Sequence, residues 1–205
     1  MRIRPRFLFG LFVGALCGIA VGGVTIAVGD DDDETRYEAR AEILGPPGSG
    51  IRGEARFRQY SSTEDQPTPV VAVDVWVRGL PREPRQRGFH VHDVGACEPT
   101  FEAAGDHFDA GPAKDTSAEN HPYHLGDVPQ LEVRGSAARL HAVTTRFVLQ
   151  PVHPTSIFDA DGASVIVHAM EDRGHEAAPG APGGPAGGSR VACGVIEMSD
   201  GRDDD

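Results

Sequence analysis

The sequence predicts an all-β fold, an antiparallel sandwich or barrel of roughly eight short strands. Apolar residues recur at period two rather than 3.6 from Tyr37 onward. Clusters of Gly, Pro and Asp separate these runs, and no stretch of ten or more residues carries the apolar stripe of an amphipathic helix. Tyr37–Leu44 alternates, residues 45–50 (GPPGSG) form a turn, and Ile51–Tyr60 alternates back. Val70–Arg78 is strongly β-branched, contains Trp76 and stops at Gly79-Leu80-Pro81. Gly88–Val94, Gln130–Arg134, Ala138–Thr144, Ala163–Ala169 and Arg190–Ile196 complete the set. Trp76 and Phe147 are expected in the core. Two connections are too long for hairpins: Gly95–Pro129, rich in His, Asp, Gly and Pro, and Glu171–Ser189, whose end is almost wholly Ala, Pro and Gly. The first reads as functional; the second fits either a functional or a disordered loop.

Length and charge narrow the field. At 205 residues the chain holds one ordinary domain, and its net charge is −12, from 19 basic and 31 acidic residues. Only Lys114 among the basic residues is lysine. That balance argues against a nucleic-acid partner, which needs a basic face for phosphates. Arg2, Arg4 and Arg6 precede an uncharged apolar run of 23 residues, Phe7–Gly29. Residues 1–29 therefore read as a signal peptide, with small residues before Asp30 for cleavage, or as an N-terminal membrane anchor. Either places the remainder outside the cytoplasm, in a periplasmic or other extracytoplasmic compartment. Residues 30–36 form an acidic linker, 37–198 the domain and 199–205 an acidic tail. Without residues 1–29 the chain loses three Arg and no acid, leaving 16 basic against 31 acidic residues, a charge of −15. Cys97 and Cys193 then remain, read as one disulfide in an oxidising compartment or, alternatively, as two buried thiols. A bridge across so long a loop would stabilise by about 4–5 kcal/mol on the chain-entropy model.

The histidines carry the chemistry. Of nine, at 90, 92, 107, 121, 124, 141, 153, 168 and 175, five lie between 90 and 124. His90 and His92 are two apart on a predicted strand and share a face. With three more on the next loop they point to metal ligation, since imidazole suits copper and zinc. His121, His124 and Asp127 fall within seven residues, and His168 ends an apolar strand that could bring it to the cluster. His141, His153 and His175 read as surface residues.

Gly88-Phe89-His90-Val91-His92, Gly105-Asp106-His107-Phe108, His124-Leu125-Gly126-Asp127, Val167-His168 and residues 188–196 (GSRVACGVI) resemble copper/zinc superoxide dismutases of the exported bacterial type, in order and spacing from about Tyr37 to Glu197. The resemblance implies an eight-stranded antiparallel Greek-key β-barrel with two long functional loops, converting superoxide to oxygen and hydrogen peroxide. It implies copper on His90, His92, His107 and His168, and zinc on His107, His124, Asp127 and one further histidine, with His107 bridging. It also implies a Cys97–Cys193 disulfide, Arg190 as the anion guide and Asp172 as a carboxylate linking a copper ligand to a zinc ligand.

Three positions depart from the family pattern. The second zinc histidine usually falls about eight residues after the bridge, where this chain has Asp115; His121 is the first choice and Asp115 the alternative. Asp106 stands where glycine is common. The segment 172–189 offers only Arg173, with Arg190 after it, so slower steering of the anion is expected. The alternative function is a dismutase-like module that binds metal without catalysis. The oligomeric state is left open.

Overall fold

Alternation in the sequence becomes alternation in burial. The computed structural model describes residues 35–62, 67–110, 114–174 and 186–199. The expected leader, almost all of the acidic linker, the acidic tail beyond Ser199, His175 and most of the Ala/Pro/Gly stretch lie outside the described residues. The strands are β1 (Thr35–Leu44), β2 (Arg52–Tyr60), β3 (Val70–Arg78), β4 (Gln86–Arg87), β5 (Phe89–His92), β6 (Leu131–Arg134), β7 (Ala137–Thr144), β8 (Ser164–His168), β9 (Arg190–Val195) and β10 (Glu197–Met198). Among the described residues the only helical pieces are single 3-10 turns at Phe101–Ala104 and Ala118–Asn120.

The pairing order is β4-β6-β7-β3-β2-β1-β9-β8-β5, with β10 also on β1, and all pairs are antiparallel. β4 and β5 occupy opposite ends of this order, yet only Gly88 separates them. One strand thus pairs with β6 through its first part and with β8 through its second, which rolls the sheet into a barrel. Taking Gly88 and Ile196 as interruptions, the ten segments make eight strands. β3, β4, β6 and β7 lie in the spatial order β4-β6-β7-β3, a Greek key. Gly88 is needed at the seam, because a Cβ there would sit 2.7 Å from the Ala186 carbonyl oxygen and 3.1 Å from His90 Cε1.

Odd-numbered residues of β1, β2, β3 and β8 fill the barrel, among them Ile43, Phe57, Val73 and Val165, all fully buried. Phe89 and Val91 of β5 join them. Phe147 is likewise buried, but Trp76 corrects the expectation: it is 43% exposed. The inward parity of β3 is set by Val71, Val73, Val75 and Val77, so Trp76 must face out, where the Arg78 guanidinium lies 5.9 Å from its ring. On β5 and β8 the even-numbered outward side is also covered, as is Cys193 of β9 beside Ile166. His90, His92, Ile166 and Ser164 are fully buried beneath the connection that begins at Gly95. That second covered face holds the site.

Candidate metal centre

Strand geometry brings the first histidines together. His90 and His92 point outward from β5, and antiparallel pairing sets His90 beside Ile166 and His92 beside Ser164, with His168 ending β8. The long connection then hydrogen-bonds back along the free edge of β5. Phe108 N donates to Val91 O at 2.9 Å, Val91 N to Gly126 O at 3.0 Å and Gly126 N to Phe108 O at 2.7 Å. This lacing delivers His107 opposite His92 and Asp127 opposite His90. One ligand atom from each of His90, His92, His107 and His168 lies within 4.8 Å of all the others. A second set, His90, His107, His121 and Asp127, meets the same distance.

Hydrogen bonds fix which nitrogen of each ring is left. His92 Nδ1 is 3.1 Å from Gly105 O, His168 Nδ1 is 2.8 Å from Gly188 O, and each must donate because a carbonyl only accepts. His90 Nε2 lies 2.8 Å from Asp172 Oδ2. The remaining atoms, His90 Nδ1, His92 Nε2 and His168 Nε2, are buried without any hydrogen-bond partner. Buried lone pairs left unpaired are costly in a folded protein. Several on one histidine cluster fit a cation that completes them. His107 uses Nδ1 on Asp127 Oδ1 at 2.6 Å and keeps Nε2, so it offers one nitrogen to each side.

The second half is organised by carboxylates. Asp127 Oδ1 faces His107 and, at 3.1 Å, His121 Nδ1; its Oδ2 lies 3.0 Å from His124 Nδ1 and accepts the His124 backbone N–H at 2.9 Å. His121 Nδ1 has no hydrogen bond in spite of that proximity. Asp172 joins the halves, with Oδ2 on His90 Nε2 and Oδ1 on His121 Nε2, both at 2.8 Å. Asp172 is in turn held by Gln130 Oε1, which accepts its backbone N–H at 2.8 Å. Asp115 lies elsewhere: it is exposed, and its carboxylate accepts the Ser117 N–H at 3.0 Å. Three imidazoles and one carboxylate form a zinc-type donor set, and four imidazoles suit copper.

Electrostatics keep the rings of His92, His107 and His168 neutral. Burial pushes His107 down to about 4 against the pull of Asp127, and burial with the neighbouring His90 pushes His168 down to about 3. His92 is held well below its usual value by burial and by His107. For His121 burial is outweighed by the close carboxylates of Asp127 and Asp172, which raise it to about 9. Burial of Asp127 and Asp172 is outweighed by their histidine partners, so both stay well below the carboxylate range. These values describe the metal-free protein, where a proton on His121 supplies the cation. The depressed histidines bind protons less readily folded than unfolded, so their contribution is lost as pH falls from about 6.5 toward 4. The two carboxylates lose theirs as pH falls below roughly 4. The raised His121 contributes below about 6.5 and loses that contribution as pH rises toward 9. Urea midpoints of the metal-free protein are therefore expected to peak at about pH 6.5–7 and fall on both sides. A flat profile from about pH 5 to 9 would contradict this charge arrangement.

Arg190 opens β9 and reaches back over the connection, donating from Nη1 to Phe101 O at 2.8 Å and from Nη2 to Gly105 O at 2.6 Å. Gly105 O thus serves both Arg190 and His92, which ties the guanidinium to the cluster. Gly105 adopts φ 75°, and a Cβ there would lie 2.1 Å from Asp93 Oδ1, so no other residue fits. Cys97 and Cys193 form a disulfide, Cα to Cα 5.8 Å, anchoring this connection to β9. His141 is exposed and lies 2.7 Å from Asp74 Oδ1, and His153 is exposed near Thr155; both stand apart from the cluster. Sequence reasoning missed Arg146, Gln130 and the carbonyls of Gly105 and Gly188, because carbonyl acceptors carry no side-chain signature.

Comparison with known proteins agrees with this geometry. Residues 51–196 match the family described as copper/zinc superoxide dismutase. The superoxide dismutase [Cu-Zn] of Photobacterium leiognathi is 33% identical over 126 residues, covering 56% of this chain and 65% of that protein. Superoxide dismutase [Cu-Zn] 5 of Dictyostelium discoideum is 29% identical over 155 residues, covering 74% and 93%. Among solved structures, that of the clock protein EA4 superposes with a TM-score of 0.58 at 26% identity, covering 80% of this chain and 95% of the other. With the match reaching from the start of β2 to the end of β9, and every motif of the buried histidine cluster inside it, the chain belongs to the copper/zinc superoxide dismutase family.

Proposed function

We propose that the protein converts superoxide to oxygen and hydrogen peroxide, with copper held by His90, His92, His107 and His168 and zinc by His107, His121, His124 and Asp127. The observation that carries this is the set of partnerless buried nitrogens, His90 Nδ1, His92 Nε2 and His168 Nε2, beside His107. Copper, when bound, supplies a one-electron couple that takes an electron from one superoxide and gives it to the next, while redox-inert zinc is structural. Two superoxide ions and two protons thus yield one oxygen and one hydrogen peroxide.

The chain's own residues do the rest. Arg190 holds a fixed positive charge, only 14% exposed, that attracts and orients a small anion against a net charge of −12. The carbonyls of Gly105 and Gly188 and the carboxylate of Asp172 lock the rings of His92, His168 and His90. Asp127 on Nδ1 of His107 leaves Nε2 as the atom at which a proton can be held for the peroxide-forming half-reaction. The disulfide fits an oxidising compartment, and we read residues 1–29 as delivering the domain there, cleaved or as an anchor.

Superoxide decay after pulse radiolysis, with the full chain reconstituted with copper and zinc, tests the reading. A catalytic constant of about 10⁸–10⁹ M⁻¹s⁻¹ is expected. Decay no faster than buffer with a filled copper site would leave the non-catalytic metal-binding alternative. For the zinc assignment, His121→Ala is expected to weaken zinc binding at least tenfold, on the order of a lost ligand or its support. Asp115→Asn is expected to leave zinc stoichiometry unchanged, and the reverse pattern would move the ligand to Asp115.

A further inference from the structure

Arg146 lies on the connection between β7 and β8, outside every element that carries a proposed ligand. Its Nη1 faces three backbone carbonyls of one short segment: Pro122 O at 3.1 Å, His124 O at 3.0 Å and Asp127 O at 3.3 Å. Among the described residues no carboxylate is paired with it. Three carbonyl dipoles aimed at one point repel one another unless a cation sits there. The segment 122–127 is therefore wrapped around a guanidinium nitrogen much as it would wrap a metal ion. The same segment, with adjacent His121, carries the proposed zinc ligands other than His107: His121 and Asp127 lie in the second ligand set, and His124 Nδ1 is 3.0 Å from Asp127 Oδ2. The turn also closes on itself, through Asp127 N to His124 O at 3.2 Å and His124 N to Asp127 Oδ2 at 2.9 Å.

From this we propose that Arg146 is a positioning residue for the zinc half of the centre: it holds the backbone of residues 122–127 by their carbonyls and so sets the directions of His121, His124 and Asp127. The connection between β7 and β8 then has a task beyond joining two strands, because it brings a positive charge against the carbonyls of the zinc loop. The proposal rests on the zinc assignment made above.

The test uses the full chain loaded with copper(I), which is colourless, and titrated with cobalt(II) as the zinc probe, followed by visible d–d absorption. Arg146→Ala is expected to weaken cobalt binding by about 10- to 100-fold and to shift the band shape, with copper(I) content unchanged. Arg146→Lys is expected to recover most of the affinity, since an ammonium offers three donors to the same carbonyls. Cobalt binding by Arg146→Ala within twofold of the parent, with the parent's band shape, would overturn the proposal. So would a lysine variant as weak as alanine. Should Arg146→Ala fail to fold, the lysine variant decides alone by the same criterion. A parent that takes no cobalt overturns the zinc assignment itself, a result distinct from equal binding by parent and variant.

Discussion

Arg190→Ala is expected to keep its copper and to lose about 10- to 100-fold in the second-order constant for superoxide, the range that electrostatic steering supplies. The proposed substrate, superoxide, is a monoanion and the chain carries −12, so distant charge opposes encounter and a local positive focus must overcome it. The guanidinium is fixed by Phe101 O and Gly105 O and is mostly buried, so it cannot relax away from the site. Its nearest acid, Glu102, is 3.6 Å from Nε but 76% exposed, where solvent screens it and leaves the cation available. Removing Arg190 leaves Gly105 O still bonded to His92, so the histidine cluster keeps its ring orientation. The salt dependence gives a second, independent reading. In the parent, added salt screens a local attraction and slows the reaction; in Arg190→Ala, only repulsion by the acidic chain remains, and salt is expected to speed it. Stopped-flow or pulse-radiolysis rates across ionic strength, with copper content measured in parallel, separate these cases. An unchanged rate in a copper-replete variant would remove Arg190 from the mechanism.

The barrel was legible because alternation needs no long-range knowledge: each strand buries one parity, and Val71 through Val77 state it plainly. Trp76 shows how a residue-type prior misleads where parity would have decided, since size favours burial but register turns the ring outward. The seam at Gly88 was not legible. Splitting one strand between two partners depends on where the rest of the chain lies, and the local sequence GFHVH reads as one continuous run. His90 and His92 could be set on one face from their spacing alone. What spacing could not say is that this face, outside the barrel, is roofed by a loop and fully buried. The choice between His121 and Asp115 depends on loop conformation, which no periodicity encodes. The structure places His121 between Asp127 and Asp172 and Asp115 on an exposed turn. The carbonyls that orient the rings belong to Gly105 and Gly188, whose side chains announce nothing.

Cys193→Ser is expected to cost about 2–5 kcal/mol of stability, the usual range for removing a native disulfide from a small domain. In a domain of this size that is a fall of roughly 5–20 °C in Tm. The bridge closes 96 residues, and the chain it restrains is the connection that roofs the histidines. Its local packing is thin: Ala104, Ile166 and Cys193, with Cys97 and Phe101 alongside, form a cluster separate from the barrel core. Few apolar contacts therefore hold this roof when the bond is absent. Arg190 stands on β9, three residues before Cys193, and its two acceptors, Phe101 O and Gly105 O, lie on the tethered connection. Loosening the tether is thus expected to loosen Arg190 as well as the fold. The loss of rate in Cys193→Ser is expected to exceed the loss of folded protein and to approach that of Arg190→Ala. In the double variant the two rate losses should not multiply, because both act through the same pair of carbonyls. Rates normalised to copper-loaded, folded protein, measured well below the lowered Tm, provide the comparison. Multiplicative losses would separate the disulfide from the positioning of Arg190 and leave it a role in stability alone.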